Sequence, residues 1–367
     1  MATPVCLDDF EKYAEAHLSR MAWDYFSSGS LEMTTVAENR KAFHRLRIRP
    51  TALCDVSTRD VTTTLLGERV ACPIGVSPTS LQCLAHADGE EASARAAAAL
   101  DVCYVQSTFS TRSVADVVAA APTGLKWLQV FPLTDFGITE RLIALAEAAG
   151  YRAIVFTVDH PAKPSNWTFS RRPVGLPPGV SIRNIEAVLP GEIDESNVYA
   201  PKPGLKPTGK LSWHVVERVR QLTKLPVILK GILTAEDARL AINHGAAAIW
   251  VSNHGGRTLD GQPAAIEALP EVVAAVGGRV EVYMDSGVRT GADVFKALAL
   301  GARAVFVGRP VLWGLAYDGA DGVKKVLEIL REELDSTMAF GGCSSIGEIV
   351  GKLRVVHKSY YKQFVPK

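Results

Sequence analysis

Eight short runs rich in β-branched and apolar residues punctuate this chain: Cys72–Ser77, Cys103–Ser107, Leu125–Phe131, Ala153–Asp159, Pro226–Gly231, Ala247–Asn253, Val280–Gly287 and Ala304–Arg309. Alanine-rich stretches of helical period separate them: Glu90–Leu100, Val114–Ala121, Thr139–Ala149, Ala235–His244, Ala264–Val276 and Ala292–Leu300, with a longer, irregular gap before Trp213–Thr223. Strands alternating with helices are joined by right-handed crossovers, and this builds a parallel sheet. Eight such units predict an α/β fold of the closed (β/α)8 barrel type rather than an open sheet. The 367 residues are then one domain, because barrels of this kind run long as single units. Its expected parts are a helical segment over 1–70, a barrel over 71–318, and closing helices with a tail over 319–367.

In such a barrel the C-terminal strand ends face one mouth, where the chemistry sits. Polar residues gather at those ends: Ser77-Pro78-Thr79, Ser107-Thr108, Gln129, Thr157 to Asp159, Lys230, Ser252 to Arg257, Asp285 to Arg289, and Gly308-Arg309. Taken singly, each is more often a satisfied strand-end group. Eight ends each carrying one are hard to attribute to stability alone.

The sixth run leads into Ser252-Asn253-His254-Gly255-Gly256-Arg257-Thr258-Leu259-Asp260-Gly261. Here a base and a fixed cation flank two glycines, which let the backbone turn sharply and shield neither side chain. An imidazole takes a proton near neutral pH. A guanidinium clamps a carboxylate through parallel hydrogen bonds. The pair suits a small acid with a removable proton beside its carboxylate. The plainer alternative is a capping histidine and a surface arginine.

Asp285-Ser286-Gly287-Val288-Arg289 and Gly308-Arg309-Pro310 follow the seventh and eighth runs, where barrels often bind phosphate. Backbone N–H groups near glycine, with Arg289 and Arg309, would cradle a dianion. The alternative is that both arginines only pair with nearby acids. No P-loop occurs, and no GxGxxG opens a helix after the first strand, which argues against a separate nucleotide-binding domain.

Net charge is +1, so no basic field favours nucleic acid or an anionic membrane. No apolar run reaches the roughly 18 residues of a transmembrane helix, and the first ten residues show no secretory pattern. The six cysteines form no CxxC pair and no zinc-like spacing with histidine. They read as reduced thiols, and no metal site is expected. Leu7-Asp8-Asp9-Phe10 opens a first helix, and Met21 to Phe26 lies on a second that stops at Ser28-Gly29. The stretch 170–211 holds seven prolines and little periodicity, and reads as a gate between strands four and five. Leu312–Ala316 and Val323–Ala339 read as closing helices, and His357–Lys367 as a poorly ordered basic tail.

Ser252–Asp260, Lys230-Gly231-Ile232-Leu233-Thr234, Met284–Gly291 and Phe306–Pro310 together resemble the FMN-dependent 2-hydroxy acid oxidase family, the glycolate and lactate oxidase group. The resemblance runs from Phe10 to about Ile349. The texture of Cys103–Phe109 is closer to animal long-chain hydroxy acid oxidases. The resemblance implies FMN as cofactor, His254 as catalytic base and Asp159 as its charge partner. It implies that Arg257 and Tyr25 hold the substrate carboxylate, and that Lys230 stabilises negative charge at one flavin edge. Pro78, Thr79, Ser80, Ser107, Gln129 and Thr157 would line the flavin ring. Asp285, Arg289, Gly308 and Arg309 would take the ribityl chain and phosphate, and Ser252, Ser286 and Gly287 would also bind the cofactor. A small 2-hydroxy acid and O2 are the implied partners, with H2O2 as a product and a homotetramer as the assembly. The absence of a haem domain or membrane segment favours oxygen as the electron acceptor.

Two positions depart from the family pattern. Phe131 stands where the family carries a tyrosine near the substrate hydroxyl, and Phe cannot donate. Asn166 stands where the family carries an arginine, with Lys163, Arg171 and Arg172 as candidate replacements. Phe109, Phe131 and Trp167 then favour a medium-chain, long-chain or aromatic side group. The alternatives are an FMN barrel that has moved to another substrate, or a flavin-binding protein with little turnover. Relatives are commonly peroxisomal with a Ser-Lys-Leu-like terminus. This chain ends Val365-Pro366-Lys367, which leaves a cytoplasmic or peroxisomal location expected.

Overall fold

The computed structural model describes residues 3–172, 175–189, 203–206, 208–350 and 354–360. Eight strands close into a parallel barrel: β1 (Ile74–Val76), β2 (Tyr104–Gln106), β3 (Lys126–Val130), β4 (Ala153–Thr157), β5 (Val227–Lys230), β6 (Ala248–Val251), β7 (Glu281–Met284) and β8 (Ala304–Val307). β8 pairs with β1 through Val305–Ile74, Phe306–Gly75 and Val307–Val76, which completes the ring. The fold is the (β/α)8 TIM barrel that the alternating pattern predicts. Each observed strand lies inside its predicted run and is shorter, because the polar residues at the run ends have already left the ladder.

Two cores follow from the two strand faces. Inside the barrel, Trp127, Trp250, Tyr283 and Phe306 fill the lumen, with Cys103, Val105, Val155 and Ile228 between them. Trp250 and Phe306 lie 4.1 Å apart between ring centroids. Rings of this size fit only because small residues oppose them. A Cβ added to Gly75 would meet Phe306 Cε1 at 2.4 Å. Outside the barrel, the larger core joins the outward strand faces to the helices.

The N-terminal segment corrects the helical expectation. It contains helices Leu7–His17, Arg20–Ser27 and Thr34–Lys41, but also strand Leu46–Ile48 and a hairpin of Thr63–Leu65 with Glu68–Val70. Leu65 and Val70 join the lumen core, so the hairpin stoppers the N-terminal end of the barrel. The helix Arg20–Ser27 goes to the opposite end and roofs the mouth. Just before the expected tail, Val355–His357 pairs antiparallel with Leu46–Ile48. Residues 361–367 lie outside the described residues.

The two expected closing helices are both present within Arg309–Gly341, separated by a non-helical break at Asp318 (φ −158°) and Gly319 (φ +51°). Within 170–211, the stretch expected to be a gate, residues 173–174, 190–202 and 207 lie outside the described residues. The described parts form short helices at Trp167–Arg171 and Arg183–Val188. No described helix is long and apolar enough to cross a membrane.

The lumen packing makes a test. Gly75→Ala overpacks against Phe306 and should destabilise the fold by about 1–3 kcal/mol, read as an earlier urea midpoint. An unchanged midpoint would show that the lumen has slack.

Candidate active site

The C-terminal strand ends open into one cavity of ≈ 1180 Å³. Its rim is held by two chains of polar contacts. The first runs through Ser80, Ser107, Gln129 and Thr157. Ser80 Oγ and Ser107 Oγ are 2.9 Å apart, and Ser107 Oγ donates to Gln129 Oε1 at 3.4 Å. Gln129 Nε2 donates to Thr157 Oγ1 at 3.0 Å. Buried amides need this pairing, since an unmatched one costs about 1–3 kcal/mol.

The second chain centres on an ion pair. Lys230 Nζ lies 2.9 Å from Asp285 Oδ2 and donates to Ser252 Oγ at 2.8 Å. Ser252 Oγ donates to Asp285 Oδ1 at 2.5 Å, Ser286 Oγ to the same oxygen at 2.8 Å, and Ser77 Oγ to Oδ2 at 3.0 Å. Side-chain exposure is 5% for Lys230 and 8% for Asp285. Two charges this far from water persist only with good geometry and extra hydrogen bonds, and the three serines supply them.

After β6 the backbone turns through three successive positive φ values, at His254 (+56°), Gly255 (+65°) and Gly256 (+75°). Gly256 cannot be replaced cheaply, because an added Cβ would stand 2.7 Å from the Val36 nitrogen. The turn brings His254 Nδ1 to 2.9 Å from Asp159 Oδ1. Burial raises the Asp159 pKa, but the charge and hydrogen bond of His254, aided by Lys230, outweigh it and hold the carboxyl below its ordinary range. Arg257 lies beyond the turn and donates from Nη1 to the Tyr25 carbonyl at 2.7 Å. Its guanidinium carbon is 5.2 Å from the Tyr25 ring centroid.

At the far end of the cavity, Arg289 and Arg309 make no ion pair among the described residues. Arg289 donates from Nη1 to the Val288 carbonyl at 2.9 Å, while its Nε is sealed from solvent and has no partner among the described residues. Arg309 is committed more fully than its role in anion binding suggests. Its Nε, Nη1 and Nη2 donate to the carbonyls of Phe26, Gly255 and Ser28, each at 2.9 Å. Burial, then the charges of Arg257 and Arg289, push its pKa down to about 9. A value near 9 leaves it a cation at neutral pH, and its three N–H donors are satisfied by the three carbonyls. Gly308, Gly287, Thr79 and Pro78 line the same cavity.

The opposite wall is aromatic. Phe109 and Phe131 sit 5.7 Å apart, and Phe131 lies nearly parallel to His254 at 6.1 Å. Trp167 and Phe169 complete the wall. Asn166 presents no charge. Its amide donates to Ser28 Oγ at 3.1 Å, and its oxygen caps the Trp167–Arg171 helix through Phe169 N at 3.1 Å. Of the candidate replacement cations, Arg172 turns to Asp24 at 2.8 Å, whereas Lys163 lines the cavity.

Sequence reasoning passed over His160. It follows Asp159, lines the cavity, and lies 5.8 Å from the His254 ring and 5.6 Å from Phe131. Burial first, then the nearby His254 charge, pushes its pKa down to about 4. Only its place at a strand end could have singled it out.

The site yields two tests. Lys230→Met leaves Asp285 buried without its cation and should cost about 3–5 kcal/mol. Adding Asp285→Asn should recover part of that loss in urea unfolding; no recovery would dismiss the pairing. His160 has a lower pKa folded than its ordinary 6.5, so the unfolded chain binds more protons between about pH 4 and 6.5. Its share of stability is therefore present above that window and lost as pH falls through it, at up to about 1.4 kcal/mol per pH unit. His160→Gln should flatten the stability profile there, and an unchanged slope would refute the depressed pKa.

The chain matches the family described as FMN-dependent dehydrogenase over residues 14–355. It is 46% identical over 345 residues to 2-hydroxyacid oxidase 2 of Mus musculus, covering 94% of this chain and 96% of that protein. It is 44% identical over 349 residues to glycolate oxidase of Spinacia oleracea, covering 94% and 93%. Among solved structures, mandelate oxidase superposes with a TM-score of 0.88 at 41% identity, covering 96% of this chain and 98% of that one.

Proposed function

This chain belongs to the FMN-dependent dehydrogenase family, and from that premise we propose that it oxidises an (S)-2-hydroxy acid to the 2-oxo acid, with O2 reduced to H2O2. Its cofactor is FMN. We assign the substrate a medium-chain, long-chain or aromatic side group, because Phe109, Phe131, Trp167 and Phe169 form the cavity wall. The observation that carries the reading is the His254–Asp159 pair at 2.9 Å with Arg257 one turn away.

The residues fit the cofactor. The sealed, unpartnered Nε of Arg289 and the unpaired charge of Arg309 await an anion of the phosphate class. Ser252, Asp285, Ser286, Gly287 and Gly308 would accompany them along the ribityl chain. Pro78, Thr79, Ser80, Ser107, Gln129 and Thr157 would hold the ring, and Lys230 would face the edge that gains negative charge. Bound FMN supplies the two-electron acceptor and the route from those electrons to O2.

The chain's own groups manage charge and protons. A carboxylate only accepts, so His254 Nδ1 carries the proton shared with Asp159 and Nε2 is left as the base. Oxidation breaks the C2–H and O–H bonds and forms a C=O double bond. One proton goes to His254 Nε2, and the two electrons with the second proton would go, as a hydride equivalent, to the acceptor that bound FMN would supply. Asp159 stabilises the imidazolium that results. Arg257 and Tyr25 would hold the substrate carboxylate and fix C2 beside the base. A second reading is favoured by Asn166, which is neutral and committed to Ser28: the barrel would act on a substrate whose polar end needs one cation fewer.

Glycolate, lactate, 2-hydroxyoctanoate and mandelate, each mixed anaerobically with the holoenzyme, separate these readings. The proposal expects rapid bleaching of the flavin by the latter two, with peroxide on admitting air. His254→Gln should retain FMN and slow bleaching by about 10²–10⁴-fold. Persistent colour with every acid would overturn the oxidase reading in favour of the second.

A further inference from the structure

We propose that His160 is a substrate-binding residue, donating a hydrogen bond from Nε2 to an oxygen at the C1–C2 end of the acid. The inference rests on the oxidase reading and adds a residue to its site. Three rings enclose one point of the cavity: His254, Phe131 and His160, with centroids 5.6 to 6.1 Å apart. His254 is the base of the proposed reaction. Phe131 has no polar atom to offer. His160 is therefore the member of the trio with hydrogen-bonding capacity not already committed.

Its Nδ1 is sealed from solvent and has no partner among the described residues. A buried N–H without an acceptor is rarer in proteins than a bare acceptor atom, so the neutral ring places its proton on Nε2. The ring lines the cavity, which makes Nε2 the nitrogen open to a ligand. The group is neutral at neutral pH, since burial, the largest cause, pushes its pKa down to about 4. A neutral donor beside Arg257 suits a carboxylate or 2-oxo oxygen and adds no further positive charge. It offsets in part the hydrogen bond that Phe131 cannot make and the cation that Asn166 does not provide.

The test titrates benzoylformate and 2-oxooctanoate into the oxidised holoenzyme, followed by the flavin absorbance, beside anaerobic reduction by mandelate and 2-hydroxyoctanoate. His160→Leu removes the donor, and His160→Gln retains a neutral N–H. We expect His160→Leu to weaken 2-oxo acid binding about tenfold, the scale of one hydrogen bond to a charged group. His160→Gln should stay within about threefold of wild type, and FMN affinity should be equal in all three. Equal weakening by both variants would assign His160 to packing and overturn the inference. So would His160→Leu binding as tightly as wild type while wild type is reduced normally, which leaves the oxidase reading standing. A wild type that no acid reduces and no 2-oxo acid perturbs would remove both readings together. If His160→Leu does not fold, His160→Gln against His160→Phe decides by the same criteria.

Discussion

The buried pair of Lys230 and Asp285 is the constraint on which the mouth of this barrel depends. It lies at the meeting of β5, β6, β7 and β1, because Lys230, Ser252, Asp285 and Ser77 come from those four strand ends. The amide and hydroxyl chain of Ser80, Ser107, Gln129 and Thr157 continues the circuit through β2, β3 and β4. The circuit fixes a ring of backbone that hydrophobic packing lower in the barrel leaves unspecified. Aromatic lumen residues set the diameter, and the polar circuit sets where each strand stops. Both are needed, since a hydrophobic core is indifferent to the direction of a side chain and a hydrogen bond is not.

The same circuit carries backbone strain. His254 (φ +56°) and Ser286 (φ +78°) occupy a region that costs a non-glycine residue about 1–3 kcal/mol. Ser286 is held there from both sides: its hydroxyl donates to Asp285 and accepts from the Gly255 N–H at 3.1 Å. The strained loop after β7 therefore braces the strained loop after β6, and His254 is aimed at Asp159 by a backbone it would not adopt alone.

Much of this was legible in the chain. The eight strands and their polar ends follow from burial on both faces, which writes continuous apolar runs, and from the switch to polar residues where each run leaves the sheet. The His254 turn was legible from its two glycines. The Thr63–Val70 hairpin was not. Its turn uses Leu66 (φ +49°) before Gly67 (φ +87°), and leucine carries no turn signal. Arg309 read as an anion ligand from Gly308-Arg309-Pro310, but its carbonyl partners come from Phe26 and Ser28 at the other end of the chain. His160 stayed hidden for a related reason. Its meaning depends on Phe131 and His254, which are neighbours only in the closed barrel.

Arg309 reaches back 283 residues to the Phe26 carbonyl, so the roof of the mouth depends on a contact between distant parts of the chain. The helix Arg20–Ser27 that roofs the mouth is anchored at the start of the helix beginning at Arg309. Contacts of such separation form late, after loop-closure entropy has been met by the barrel itself. Until then the folding chain has a base without its roof and cations without their carbonyls. The roof over the mouth is thus closed only where both ends of this long-range contact are in place.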